Sequence, residues 1–191
     1  MLLYLLKIRP VLFFICVFII VSLAHAADKK VQFNAGVWTG MQNVNEYGHT
    51  EYCSIYTKYT SGDVLAFNIT DASSFFIILY NPKWELKENS ITFVNIRIDN
   101  RIIGKYKAGV LEKQPHGFVI NLGHKNNYIL KMIRKGRTIK IGEGNDLIFK
   151  LTGTDYAIER LQSCHDFSSE KITRDRQPSI FHNPISQEQK T

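Results

Sequence analysis

The chain is short of the residues from which chemistry is most easily read. Its 191 residues include three cysteines and six histidines. No C-x-x-C, H-x-x-H or H-E-x-x-H spacing links them, so neither a closed zinc site nor a dithiol redox centre is predicted. The G-x-S-x-G elbow that exposes a nucleophilic serine on a strained turn is also missing, and Gly142-Glu143-Gly144 reads as a turn, not a phosphate loop. Long apolar stretches are lacking too. The longest, Val11–Leu23, runs for 13 residues, short of the ~20 that a permanent membrane-spanning helix needs. These absences predict no catalytic residue, no metal ligand and no cofactor.

What stands at the start is an export signal. Lys7 and Arg9 precede the apolar run, and Ala24-His25-Ala26 follows it, which is the order of charge, apolar segment and small-residue cleavage site that a secreted chain carries. Cleavage after Ala26 makes residues 1–26 a signal peptide and removes Cys16. Only Cys53 and Cys164 remain, an even pair in an oxidising compartment, and a disulfide between them is predicted. The formal net charge of +7 loses Lys7 and Arg9 with the leader, leaving +5. That modest positive field suits an anionic glycan, a lipid head group or an acidic protein face. The expected location is periplasmic or secreted, with no permanent membrane span after cleavage and no nucleic acid among the partners.

Between Tyr52 and Leu151, short β-branched and aromatic runs alternate with Gly, Asn, Asp and Pro, the punctuation of strands and turns. Strands are predicted over 52–59, 63–70, 74–80, 91–98, 101–108, 117–122, 137–141 and 146–151. Segment 74–80, SFFIILY, is continuous enough to be buried on both faces. Val94, Ile96 and Ile98 share one phase, and Asp99-Asn100 reads as a tight hairpin turn. Residues 126–136 suit a short helix with Ile129, Met132 and Ile133 inward, or one more strand; the helix is favoured. In 152–164, Thr154 stands at a cap position, Asp155 enters the first turn, and Ala157, Ile158 and Leu161 form an inward face, with Cys164 at or just past the end. The fold class is therefore all-β: a β-sandwich or small barrel of about eight strands, with a short C-terminal helix tied by one disulfide. The domain is expected over 27–164. Residues 165–191, polar and without a period, read as a disordered tail.

Candidate chemistry is thin. His49 lies four residues from Cys53, but an oxidised Cys53 cannot be a nucleophile. His116 and His124 are isolated, Ser61-Gly62-Asp63 is a turn, and nothing brings any two of Glu85, Glu88, Asp99 and Glu112 together. The densest basic stretch is Lys131, Arg134, Lys135, Arg137 and Lys140. It is a candidate binding edge for anionic ligands, or a solvated edge protected from strand addition by its charges. Trp38, Tyr52, Tyr56, Tyr59 and Trp84 are candidates for a sugar-binding face, of which strand alternation sends about half into the core.

Gly36-Val37-Trp38 near the mature start, Cys53 some fifteen residues later, and the closing Phe149-Lys150-Leu151-Thr152-Gly153 followed by Ala157, Ile158 and Leu161 resemble the invasion-associated locus B family of small secreted bacterial proteins. Tyr59-Thr60-Ser61-Gly62, Asn81-Pro82-Lys83-Trp84 and Leu161 to Cys164 resemble uncharacterised exported bacterial domains. The resemblance spans most of residues 36–164. It implies an all-β exported domain and brings no catalytic residues to map. The function expected on these grounds is a non-enzymatic binding module of the cell envelope or of host-surface contact. Its expected partner is an envelope or host-surface protein or an anionic glycan or lipid. The alternatives are an envelope enzyme whose site is assembled only in three dimensions, and a periplasmic assembly or chaperone subunit.

Overall fold

A computed structural model describes residues 29–111, 114–124, 127–144 and 146–176; for residues 114, 127 and 167–176 it describes the backbone alone. The expected signal peptide and residues 177–191 lie outside the described residues. Ten strands form: β1 Lys29–Ala35, β2 Trp38–Val44, β3 Thr50–Lys58, β4 Val64–Thr70, β5 Ser74–Tyr80, β6 Ile91–Ile98, β7 Arg101–Leu111, β8 Gln114–His124, β9 Thr138–Gly142 and β10 Leu147–Lys150. Two helices join them, α1 Asn127–Lys135 and α2 Thr154–Arg176.

All ten strands belong to one antiparallel sheet in the order β1-β2-β3-β4-β5-β8-β7-β6-β9-β10. The expected sandwich or barrel of eight strands is thereby corrected to a mostly β fold with a single open sheet, since β1 and β10 each have one neighbour. Two strands were not foreseen. In the β1–β2 hairpin, Ala35 pairs with Trp38 and Gly36 takes φ 73°, the positive φ that a two-residue turn demands. The β6–β7 hairpin closes as expected at Asp99 and Asn100, at φ 48° and 69°, the pair of left-handed residues that defines a type I′ turn.

The sheet curls around one core. Phe67, Phe75 and Leu79 from β4 and β5 share a cluster with Ile96, Ile139 and Phe149 from the far half. Trp38 Nε1–H donates to Thr152 O at 2.9 Å, and the Tyr59 hydroxyl donates to Lys150 O at 2.7 Å, so the end of β10 is tied to β2 and to the β3–β4 turn. Ile129, Leu130 and Ile133 of α1 and Ala157, Ile158 and Leu161 of α2 enter the same cluster. Both helices thus cover the inner face. In β5, Phe75, Ile77 and Leu79 are fully buried while Phe76, Ile78 and Tyr80 are half-buried. The expected burial of this strand on both faces does not hold, because neither helix crosses the outer side.

The closing helix also differs from expectation. It continues past Cys164 to Arg176, because no glycine or proline interrupts the sequence between Gly153 and Pro178. Its Thr154 hydroxyl does not cap its own first turn but donates to Leu151 O at 2.7 Å and Ile133 O at 3.2 Å. It thereby satisfies a carbonyl in the last turn of α1, where carbonyls lack intrahelical partners.

Candidate functional site

Cys53 and Cys164 are joined, with their Cα atoms 6.2 Å apart and a sequence separation of 111. Cys53 alternates with Ile55 on the inner side of β3 and is 1% exposed. Its partner on α2 borders a groove with Phe33, Gln42, Arg160 and Ser163. The bond takes both thiols out of acid–base, nucleophilic and metal chemistry. Among the described residues, no group of three His, Cys, Asp or Glu side chains could hold a metal ion, and no helix is long and apolar enough to cross a membrane.

One constellation escaped the sequence. His165, buried on α2 directly after Cys164, has Nε2 3.2 Å from Ser73 Oγ and Nδ1 3.1 Å from Asp166 Oδ1. Ser, His and Asp in that order form the arrangement of a hydrolase triad. The surroundings argue for a structural clasp. The N–H groups that would cradle an oxyanion are engaged: Ala72 donates to Asp71 Oδ1, Ser73 to Thr70 O, and Ser74 to Thr70 Oγ1. The orienting carboxylate, moreover, is 61% exposed, whereas a triad aspartate is buried. Next to the disulfide, this contact fastens α2 to the β4–β5 turn. Ser73 and His165 are 92 residues apart, so local pattern carried no signal for it.

The five residues of the basic stretch do not form one patch. Lys131, Arg134 and Lys135 of α1 line a cleft against Asp155 and Gln162 of α2. Within it, Arg134 Nε lies 2.7 Å from Asp155 Oδ1, and its Nη2 lies 3.9 Å from Glu159 Oε2. Arg137 follows α1; its backbone N–H and that of Thr138 donate to Asp99 Oδ1. Desolvation acts upward on the Asp99 carboxyl, but these two amides, the Thr138 hydroxyl and the Arg137 charge outweigh it and hold the pKa below its ordinary value. Lys140, on the outer side of β9, donates to Asn100 Oδ1 at 3.0 Å.

The aromatics divide as alternation requires. Trp38 is buried against Phe67, with ring centroids 5.4 Å apart; Tyr59 packs on Phe149 and Trp84 stacks on Phe118. Burial raises the Tyr59 phenol to a pKa of about 12. Tyr52 and Tyr56 face outward on β3. The registers carry Tyr56 across the sheet through Ala66, Ile78, Val119 and Gly109 to Ile91, a largely apolar row on the side that neither helix covers. Two residues along β3 and β4 from this row, the Ser54 hydroxyl donates to Asn68 Oδ1 at 2.7 Å. The isolated histidines are structural or exposed: His116 Nδ1–H donates to Trp84 O at 2.6 Å, and His124 is exposed at the end of β8.

No family model and no curated protein sequence matches the chain. Among solved structures, it is similar to invasion-associated protein B from Bartonella henselae at 15% identity, over 71% of this chain and 99% of that one, with a TM-score of 0.37.

Proposed function

We propose that the chain is a non-enzymatic exported binding module, acting in the bacterial envelope or in contact with a host surface through the outer face of its sheet. The observation that carries this reading is the one-sided covering of the sheet. The core and both helices lie on the inner side, and the outer side presents half-buried Tyr56, Ile78 and Tyr80 together with exposed apolar and basic side chains. An uncovered face of this kind marks an interaction surface. The disulfide and the His165 clasp brace the opposite side, which suits a rigid scaffold outside the reducing cytoplasm.

The reading is tested by titrating the fluorescently labelled chain, without its leader, onto bacterial envelopes and cultured host cells. Saturable binding, competed by unlabelled protein and weakened by Phe93→Ser with Ile102→Ser, is the expected result. Linear, uncompeted uptake would contradict it. The enzyme alternative rests on Ser73, His165 and Asp166; covalent labelling of Ser73 by a fluorophosphonate, abolished in Ser73→Ala, would establish it over the binding reading.

A further inference from the structure

Four of the most exposed large apolar side chains fall on one part of the outer face. Phe93 and Ile91 on β6, Ile102 on β7 and Ile148 on β10 are 52%, 59%, 71% and 61% exposed. Register places Ile102, Arg97, Lys140 and Ile148 in one row across β7, β6, β9 and β10. At about 4.8 Å per strand, the two isoleucines stand roughly 14 Å apart with two cations between them. Phe93 lies four residues along β6 from Arg97, on the same side, and Lys105 Nζ sits 5.9 Å from its ring centre.

The charge on this face is net positive among the described residues. Lys105, Lys107 and Lys150 project from the same side as Arg97 and Lys140; Asp146 pairs with Arg97 and Glu143 with Lys105, which leaves the cations in excess. Apolar side chains interleaved with excess cations are complementary to a surface that is anionic outside and apolar just beneath. We infer that the outer face of β7-β6-β9-β10 docks on an anionic lipid surface, with Ile102, Ile148 and Phe93 entering the head-group region while the lysines meet lipid phosphates. A hydrated anionic polysaccharide would satisfy the lysines but would leave the isoleucines in water. A second copy of the chain would set like charges against each other.

This inference rests on the outer face being the binding face and adds the chemistry of its partner. The test is co-sedimentation of the oxidised, leader-free chain with phosphatidylcholine vesicles, with and without one third phosphatidylglycerol. Binding is expected to the anionic vesicles alone and to fall steeply as salt rises. Lys107→Glu should weaken it by at least about fivefold, and Ile102→Ser with Ile148→Ser by about tenfold, with thermal stability unchanged because both isoleucines are exposed. Equal sedimentation on neutral and anionic vesicles, or undiminished binding of the isoleucine variant, overturns the inference. Retention on a sulfated polysaccharide without vesicle binding overturns it in favour of a glycan. Saturable cell binding without vesicle binding also overturns it, while leaving the broader binding reading in place.

Discussion

Breaking the Cys53–Cys164 bond should be the most damaging small change that can be made to this domain. With the cysteines 111 positions apart in sequence, the loop-entropy relation gives about 16 cal/mol/K of restriction on the unfolded chain, or about 4.8 kcal/mol at room temperature. A urea slope of about 2 kcal/mol/M would turn that into a fall of about 2.4 M in midpoint. For a folded unit of this size it corresponds to roughly 15 °C in Tm. The assay is equilibrium urea unfolding followed by Trp38 fluorescence, since this ring leaves a buried stack on Phe67 when the core opens. Three forms are compared: the oxidised chain, the same chain reduced, and Cys53→Ala/Cys164→Ala. Reduction removes the cross-link but keeps both sulfur atoms; the double variant also leaves a gap at Cys53. The variant should therefore be slightly less stable than the reduced chain. A loss below about 1 kcal/mol in both would refute the claim that the bond restrains the unfolded chain as this model requires.

Tyr59 should ionise last among the tyrosines followed by ultraviolet absorbance, near its pKa of about 12. Because its folded pKa is raised above the ordinary value of about 10, its contribution is complete below pH 10 and lost as pH climbs toward 12. Tyr59→Phe should flatten that part of the stability curve, and an unchanged curve would contradict the assignment. Gly40→Val should loosen the edge hairpin, because a Cβ at Gly40 would meet the Phe33 ring at 2.3 Å; a cost of about 1–3 kcal/mol in urea unfolding is expected. Arg134→Ser should cost about 0.2–1 kcal/mol through its partly exposed pairs with Asp155 and Glu159, and should leave envelope binding unaltered.

Several elements were legible in the sequence because their signals are local. Asp99-Asn100 between two alternating runs specifies a hairpin, and the compartment argument for two remaining cysteines specifies their bond. β1 was not legible: its residues are mostly exposed on a free edge, so no buried face imposes alternation on it. The order β5-β8-β7-β6-β9 depends on which apolar faces meet across the core, and strand periodicity does not encode that. The basic stretch misled through linear proximity, since it crosses from α1 into β9 and its side chains leave on different sides. The outer apolar patch did leave a trace. In β6, Val94, Ile96 and Ile98 share the core phase, and Ile91 and Phe93 are apolar in the opposite phase, where a one-sided strand would carry polar residues.

The most direct test of the account is a saturation-binding measurement of the leader-free, oxidised chain on intact envelopes and host cells, beside the Phe93→Ser/Ile102→Ser variant. The account predicts saturable binding by the parent and at least about tenfold weaker binding by the variant, from two apolar side chains that no longer leave water. Equal binding by the two proteins, or no saturable binding by either, would contradict the claim that the uncovered face of this sheet is where the protein acts.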